Sequence, residues 1–234
     1  MRIRNIGSLA VLWLAFTGMS FGAPVLTFTS TFQVAGGGQF SAQLNGGPNF
    51  DVFCADFNNT AVEGQMVNID TVNNLNDTRY GTTTDTTKFS SFSGLGITAL
   101  QRYVMAGWLT TQFDMTKSTS DADNLGVQTA IWNLLNVTGS GVAPLLGNES
   151  TWINAAKTWL FNPANTANVN LIKGELRIYT DVKVAGLSTP ERYGPSNGSQ
   201  EFIGLVPEPS TYLMLGTGMA LLGLVGRRRY NAKA

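Results

Sequence analysis

Cys54 is the only cysteine of this 234-residue chain, and the chain contains no histidine. A cysteine thiolate is a competent nucleophile, whereas histidine is the commonest general base and the commonest zinc ligand. The composition therefore excludes Ser-His-Asp and Cys-His hydrolases in their usual form. A single cysteine also cannot form an intramolecular disulfide. Cys54 is a buried inert side chain, a partner in an intermolecular disulfide, or a thiol used in other covalent chemistry.

The residues around Cys54 alternate in a way that predicts a β-strand over Phe50–Phe57. Alternation places Phe50, Val52 and Cys54 on one face of the strand, and Phe53, Ala55 and Phe57 on the other.

A second stretch of interest runs from Val127 to Leu135 and predicts a helix. Ser120 and Asp121 can cap this helix, and Asp123 adds a favourable negative charge to its first turn. The apolar residues of its buried face are Leu125, Ile131, Trp132, Leu134 and Leu135. Gln128 stands among them, where an unpaired carboxamide would be costly.

Taken together, Phe-Cys-Ala-Asp at Cys54 and Gln-Thr-Ala-Ile-Trp at Gln128 resemble the motifs of bacterial thioester domains. Those domains carry a TQxA motif and an upstream cysteine that follows an aromatic residue. The resemblance spans residues 50–135, and Val127 departs from it because the family motif has Thr before the Gln. It implies a covalent bond between Cys54 Sγ and Gln128 Cδ, formed with loss of ammonia.

A thioester of this kind would be an activated acyl group that an amine on a target surface could attack. The attack would leave an amide on Gln128 and a free thiol on Cys54. The reaction happens once per molecule, so we expect no enzyme, no catalytic residue and no cofactor or metal. Nearby aromatic residues would exclude water from the bond. They are Phe50, Phe53, Phe57 and Trp132.

A purely structural interpretation stands beside this one. A strand cysteine among aromatic residues commonly fills a core, and a helix with Ala-Ile-Trp-x-Leu-Leu commonly serves packing alone. Gln128 would then form a hydrogen bond to a backbone group.

The remaining patterns predict an α+β fold, with a sandwich-like or barrel-like strand core and a helical insertion. The predicted strands are 24–34, 39–44, 50–57, 66–72, 168–172 and 175–184. The predicted helices are 97–112, the Gln128 helix and 150–160.

The amino terminus has the features of a secretory signal peptide. Arg2 and Arg4 precede an apolar run over residues 9–16, and small residues at Ser20 and Gly22 offer a cleavage site after Gly22. We therefore expect residues 1–22 to be removed on export.

The carboxyl terminus has three parts in a specific order. Pro207-Glu208-Pro209 comes first, an uncharged apolar run over 211–226 follows, and Arg227-Arg228-Arg229 ends it. The apolar run suits a single transmembrane helix, and the arginines would remain in the cytoplasm and stop transfer. The tail resembles the PEP-CTERM sorting signal of Gram-negative bacteria. That resemblance implies an exosortase as partner and an intermediate anchored in the inner membrane.

Charged residues make up only 13% of the chain, and its formal net charge is zero. Average soluble domains carry roughly 25% charged residues. With no basic run outside the tail, nucleic acid is not an expected partner. The predicted division is a signal peptide (1–22), a thioester-like ectodomain (23–185), a spacer (186–205) and the sorting tail (206–234).

Two kinds of function fit these features. One is an adhesin at the cell surface or in the biofilm matrix that attaches covalently to amine-bearing targets through Cys54 and Gln128. The other is a passive matrix component or a carbohydrate-binding protein, associated with exopolysaccharide and without covalent chemistry.

Overall fold

The computed structural model of the chain describes residues 22–34, 37–57, 59–75, 77–79, 96–135, 148–184 and 198–206. Six antiparallel strands close into a barrel in the order β1-β2-β3-β6-β5-β4. The strands are β1 (Val25–Val34), β2 (Gly37–Leu44), β3 (Phe50–Cys54), β4 (Gln65–Asp70), β5 (Leu176–Asp181) and β6 (Phe202–Leu205). Pairs between β1 and β4, Val25 with Met66 and Leu26 with Gln65, close the barrel.

Four α-helices among the described residues pack beside and over the barrel. They are α1 (Ala99–Thr110), α2 (Ala122–Leu134), α3 (Glu149–Phe161) and α4 (Thr166–Glu175). Thr98 and Gln101 form a capping box at the start of α1, and the Asp121 carboxylate accepts hydrogen bonds from two amides at the start of α2. These bonds satisfy backbone donors that a helix leaves unpaired at its first turn.

The apolar residues form two clusters because successive strand residues point to opposite faces. On β3, Val52 and Cys54 belong to the cluster inside the barrel, together with Phe40, Phe202 and other strand residues. Phe53 belongs to the larger cluster between the barrel and the helices. Trp132 of α2 joins the barrel cluster, so α2 contributes to both layers.

The predicted strand over 168–172 is wrong, because these residues lie in α4. Val169 and Ile172 are buried and Leu171 is 55% exposed. The spacing i, i+3 of the two buried residues fits one face of a helix. The alternating polar and apolar letters of this short stretch therefore suggested the wrong period.

β6 lies inside the segment that we expected to be a spacer. Phe202 and Ile203 are fully buried, and Ile203 pairs with Phe53 of β3 on one side and Ile178 of β5 on the other. A strand of four residues offers too few positions for its alternation to stand out in the sequence.

Among the described residues, no helix is both long and apolar enough to span a membrane. The predicted signal sequence up to residue 21, the proline-glutamate-proline motif and the apolar tail with its arginines lie outside the described residues.

Candidate functional site

Cys54 is the last residue of β3, and its side chain lies in the barrel interior with no exposed surface. Its backbone pairs with Phe202 of β6, and the ladder continues where the amide of Ala55 donates to the carbonyl of Glu201 at 2.9 Å. The thiol is therefore held by a strand with a paired neighbour on each side.

Gln128 of α2 is also fully buried, and the structure brings it into contact with Cys54. Its side-chain Nε2 donates a hydrogen bond to the backbone carbonyl of Cys54 at 3.1 Å. Its Oε1 is buried and has no hydrogen-bond partner among the described residues. A glutamine with a purely structural role would make the Nε2 hydrogen bond. The unpartnered Oε1 is different, because a buried acceptor without a hydrogen bond lowers the stability of the fold.

The protein environment holds the Cys54 thiol in its protonated form. Burial raises the pKa of Cys54 well above its usual value, and the nearby carboxylate of Asp56 raises it further. Hydrogen bonds from the backbone of Gly38 and the side chain of Gln200 lower this pKa, but by less. The thiol is consequently a weak nucleophile toward solvent-borne reagents.

Only some of the aromatic side chains that the sequence predicts around the site lie there. Trp132 is 3% exposed and packs edge-on against Phe57, with ring centroids 5.1 Å apart. Phe50 packs from the edge of the same barrel cluster. Phe53 instead points to the helical layer, where its ring lies 5.0 Å from that of Phe113. The cover next to Cys54 is thus built by Trp132 and barrel aromatics.

A buried polar cluster that the sequence does not reveal lies next to the thiol. Asp56, two residues after Cys54, forms an ion pair with Arg79 at 3.0 Å, and both are at most 5% exposed. Asp56 also accepts a hydrogen bond from the amide of Glu201 at 2.7 Å. The Arg79 guanidinium donates to the carbonyl of Ser199. The cluster joins the ends of β3 and β6 through side chains far apart in the sequence.

The carboxylate of Glu201 is the most enclosed member of this cluster. It accepts hydrogen bonds from Tyr103 Oη at 2.7 Å, Thr180 Oγ1 at 2.5 Å and the Arg79 amide at 2.9 Å. Burial raises the pKa of Glu201, and these donors oppose that shift. A lone acidic residue beside Phe202 and Ile203 is the one signal in the sequence that could have drawn attention to it.

No cluster of three or more potential metal ligands of the His, Cys, Asp or Glu type occurs within the part of the chain that the structure describes. At the start of α2, the Asp121 carboxylate caps the helix and accepts from the Asp123 amide at 3.0 Å. Lys117 Nζ lies 3.6 Å from the Asp121 carboxylate and 3.2 Å from that of Asp123.

Residues 205–229 match the family model of the PEP-CTERM protein-sorting motif. This range includes the predicted sorting residues Pro207, Glu208 and Pro209, and the arginines Arg227, Arg228 and Arg229. The motif identifies an exported protein that an exosortase processes and that is associated with the membrane during sorting. Comparison with curated proteins and with solved structures found no match to the chain.

Proposed function

We propose that this exosortase-sorted protein attaches covalently to amine-bearing targets through a thioester between Cys54 and Gln128. The observation that carries the proposal is the meeting of two fully buried residues: Gln128 Nε2 donates to the backbone carbonyl of Cys54 at 3.1 Å, and Gln128 Oε1 has no partner among the described residues. We infer that the attached protein is displayed at the cell surface or in the extracellular matrix, since the sorting motif marks it for export.

The bond would form by attack of Cys54 Sγ on Gln128 Cδ. The Sγ–Cδ bond forms, the Cδ–Nε2 bond breaks, and the thiol proton leaves with Nε2 as ammonia. Because burial keeps the thiol protonated, the attack would have to transfer the thiol proton to Nε2 as the Sγ–Cδ bond forms. Proximity within a packed core replaces the general base that a histidine would provide elsewhere.

Burial would also preserve the product. A thioester exposed to water hydrolyses. Trp132 of α2 packs against Gly37 at the start of β2 and against Phe57. A water-excluded site would leave the acyl group intact until an amine reaches it.

The test is the intact mass of the purified full chain, measured for the wild type and Cys54→Ala in parallel. After correction for the substitution, we expect the wild type to be lighter by one ammonia. Methylamine should then add its own mass to the wild type and none to Cys54→Ala. Because both chains carry the same tail, processing by an exosortase cancels from the comparison.

The second candidate is a displayed matrix or carbohydrate-binding protein without covalent chemistry. The raised thiol pKa and the hydrogen bond from Gln128 to a backbone carbonyl favour it. Equal corrected masses for wild type and Cys54→Ala in freshly folded protein, with no uptake of methylamine, would establish this alternative.

A further inference from the structure

A hydrogen-bond donor and an acceptor on α2 are both buried and both lack a partner in the described residues. The acceptor is Gln128 Oε1, and the donor is the indole Nε1 of Trp132. Trp132 is 3% exposed, and Gln128 has no exposed surface. A buried tryptophan usually finds a partner for its N–H, and a buried polar group that stays unpaired lowers the stability of the fold. Packing alone does not account for this donor and acceptor.

The two side chains lie on the same face of α2. Trp132 follows Gln128 by four residues within the helix, and residues at this spacing are neighbours on a helix surface. Side chains of a helix also lean toward its amino terminus. The indole of Trp132 therefore lies over the turn that carries Gln128.

The edge of the indole that carries Nε1 lies against the strand pair that holds Cys54. A Cβ added to Gly37 would lie 2.3 Å from Cζ2 of the indole and 3.2 Å from Cε2, the atom bonded to Nε1. Gln39 of β2 pairs with Phe53 of β3, and antiparallel pairing continued from there brings Gly37 beside the end of β3. Trp132 and Cys54 also belong to the same cluster inside the barrel.

We propose that the indole N–H of Trp132 is the oxyanion donor of this site and binds the oxygen of Gln128 while Cδ is tetrahedral. The inference rests on the thioester proposed above. Before the reaction, Oε1 is a neutral carboxamide oxygen without a partner. Negative charge develops on this oxygen during the attack, in a site from which water is excluded. A donor fixed beside it by packing then stabilises the transition state more than the starting state.

The same donor serves both steps of the chemistry. When Cys54 Sγ attacks Cδ, the carbonyl electron pair moves onto Oε1, where the indole N–H holds the charge. The pair returns as the Cδ–Nε2 bond breaks, and the thiol proton leaves with Nε2 as ammonia. When an amine attacks the thioester, the same oxygen takes the charge again. The Cδ–Sγ bond then breaks, and a proton of the amine passes to Sγ.

The experiment compares the wild type with Trp132→Phe, which keeps an aromatic ring and removes the N–H donor. Intact mass of the freshly synthesised full chain gives the rate at which one ammonia is lost, and later addition of methylamine gives the rate of its uptake. We expect both rates to fall about 100-fold in Trp132→Phe, since a single oxyanion donor contributes at about this level. Cooperative unfolding in urea shows that the variant is folded.

The matched control is Trp152→Phe. The Nε1 of Trp152 is also buried, and its ring packs on α2 at Gly126, where an added Cβ would lie 2.8 Å from Cδ1. This contact belongs to the helical layer rather than to the barrel interior. Trp152→Phe should therefore leave both rates unchanged.

The direction of the effect separates a lost donor from looser packing. A site that is merely loosened admits water and amine more easily, so hydrolysis and methylamine uptake would become faster. Rates in Trp132→Phe that rise, or that equal those of Trp152→Phe, overturn the inference while the thioester stands. A wild type that never loses ammonia overturns the thioester itself, and the inference with it.

A second measurement leaves Trp132 in place and serves if Trp132→Phe does not fold. The indole N–H signal of Trp132 is followed by NMR and assigned with Phe variants of the other tryptophans. Its exchange with deuterium should be slower in the wild type, where the thioester carbonyl accepts from it, than in Cys54→Ala. Equal exchange in the two proteins would overturn the assignment of Trp132 as the donor.

Discussion

At the scale of single residues, the buried amides Asn124 and Gln128 of α2 differ in how many of their hydrogen-bonding atoms have a partner. Asn124 is fully buried, and its side chain is satisfied: Oδ1 accepts from the Asp114 amide at 3.0 Å, and Nδ2 donates to the Asp114 carbonyl at 3.0 Å. Gln128 is equally buried but has one bond and an unpartnered Oε1. Both polar atoms of the Asn124 side chain thus have hydrogen-bond partners, whereas only one of the two in Gln128 does.

This contrast predicts that removing the two amides changes the free energy of unfolding by different amounts. In a Cys54→Ala background, which prevents any cross-link, Gln128→Leu should change the free energy of unfolding by less than about 1 kcal/mol. It loses one hydrogen bond but also removes a buried unpaired oxygen. Asn124→Leu should cost about 2 kcal/mol or more, because several hydrogen bonds are lost together. Urea unfolding followed by circular dichroism measures both values.

A loss of more than about 2 kcal/mol in Gln128→Leu would contradict this prediction. The carboxamide would then be an ordinary structural group, and the argument for its chemical role would lose its main support.

At the scale of elements, the position of α2 over the barrel decides whether Gln128 meets Cys54. Three features stabilise or position this helix. The Asp121 carboxylate caps its first turn, and Trp132 packs so closely on Gly37 that an added Cβ would lie 2.3 Å from Cζ2 of the indole. The buried Arg102 of α1 also donates to the carbonyl of Leu134 at 2.9 Å, near the end of α2.

The close contact predicts that Gly37→Ala destabilises the protein by about 1–3 kcal/mol through overpacking. The effect should largely disappear when Trp132→Leu is also present, because the atom that clashes is gone. A double-mutant cycle of unfolding free energies measures this coupling. Strictly additive effects would mean that Gly37 is required for a reason other than the indole.

At the scale of the whole molecule, the buried polar cluster connects parts of the chain that do not neighbour each other in sequence. Glu201 joins α1 through Tyr103, β5 through Thr180 and the segment 77–79 through Arg79. Asp56 ties the end of β3 to the start of β6. These contacts make the stability of the barrel depend on pH.

The direction of this dependence follows from the pKa of Glu201, which burial raises. A group with a raised folded-state pKa stabilises the fold below its unfolded pKa, and that contribution is lost as pH rises through the folded pKa. The positive charge of Arg79 acts on this carboxylate and lowers its pKa, but by less than burial raises it. We expect the wild type to lose stability relative to Glu201→Gln as pH rises above about 4.3, the unfolded value for glutamate. Thermal unfolding across pH measures the difference.

Asp181 is the matched comparison, because its pKa moves the other way. Burial would raise it, but hydrogen bonds from the Lys183 amide and from Ser199 outweigh burial and lower the pKa of Asp181. Its contribution is therefore present above the unfolded pKa and lost as pH falls through the folded one. Asp181→Asn should flatten the acid side of the stability curve. For each variant, the stability difference from the wild type is plotted against pH. Slopes of the same sign for Glu201→Gln and Asp181→Asn would contradict this account.

Local pattern alone determined several features of this protein. The alternation of apolar residues is enough to predict β1 to β5, and Asp121 with the apolar face behind it is enough to place α2, because periodicity and capping act within a few residues. The tail is also determined by local pattern, because the order of its proline-glutamate-proline motif, apolar run and arginines is visible in the sequence. This tail matches a sorting motif. The absence of histidine excluded the commonest hydrolytic sites.

Only the tertiary structure decided how these elements meet. It closes the barrel with β6, it makes residues 168–172 helical, and it turns Gln128 toward the carbonyl of Cys54, 74 positions away in the chain. The polar cluster is equally non-local, since Glu201 and Asp56 lie 145 positions apart. Such contacts depend on which surfaces bury each other once the chain folds, and periodicity over a few residues carries no information about partners so distant.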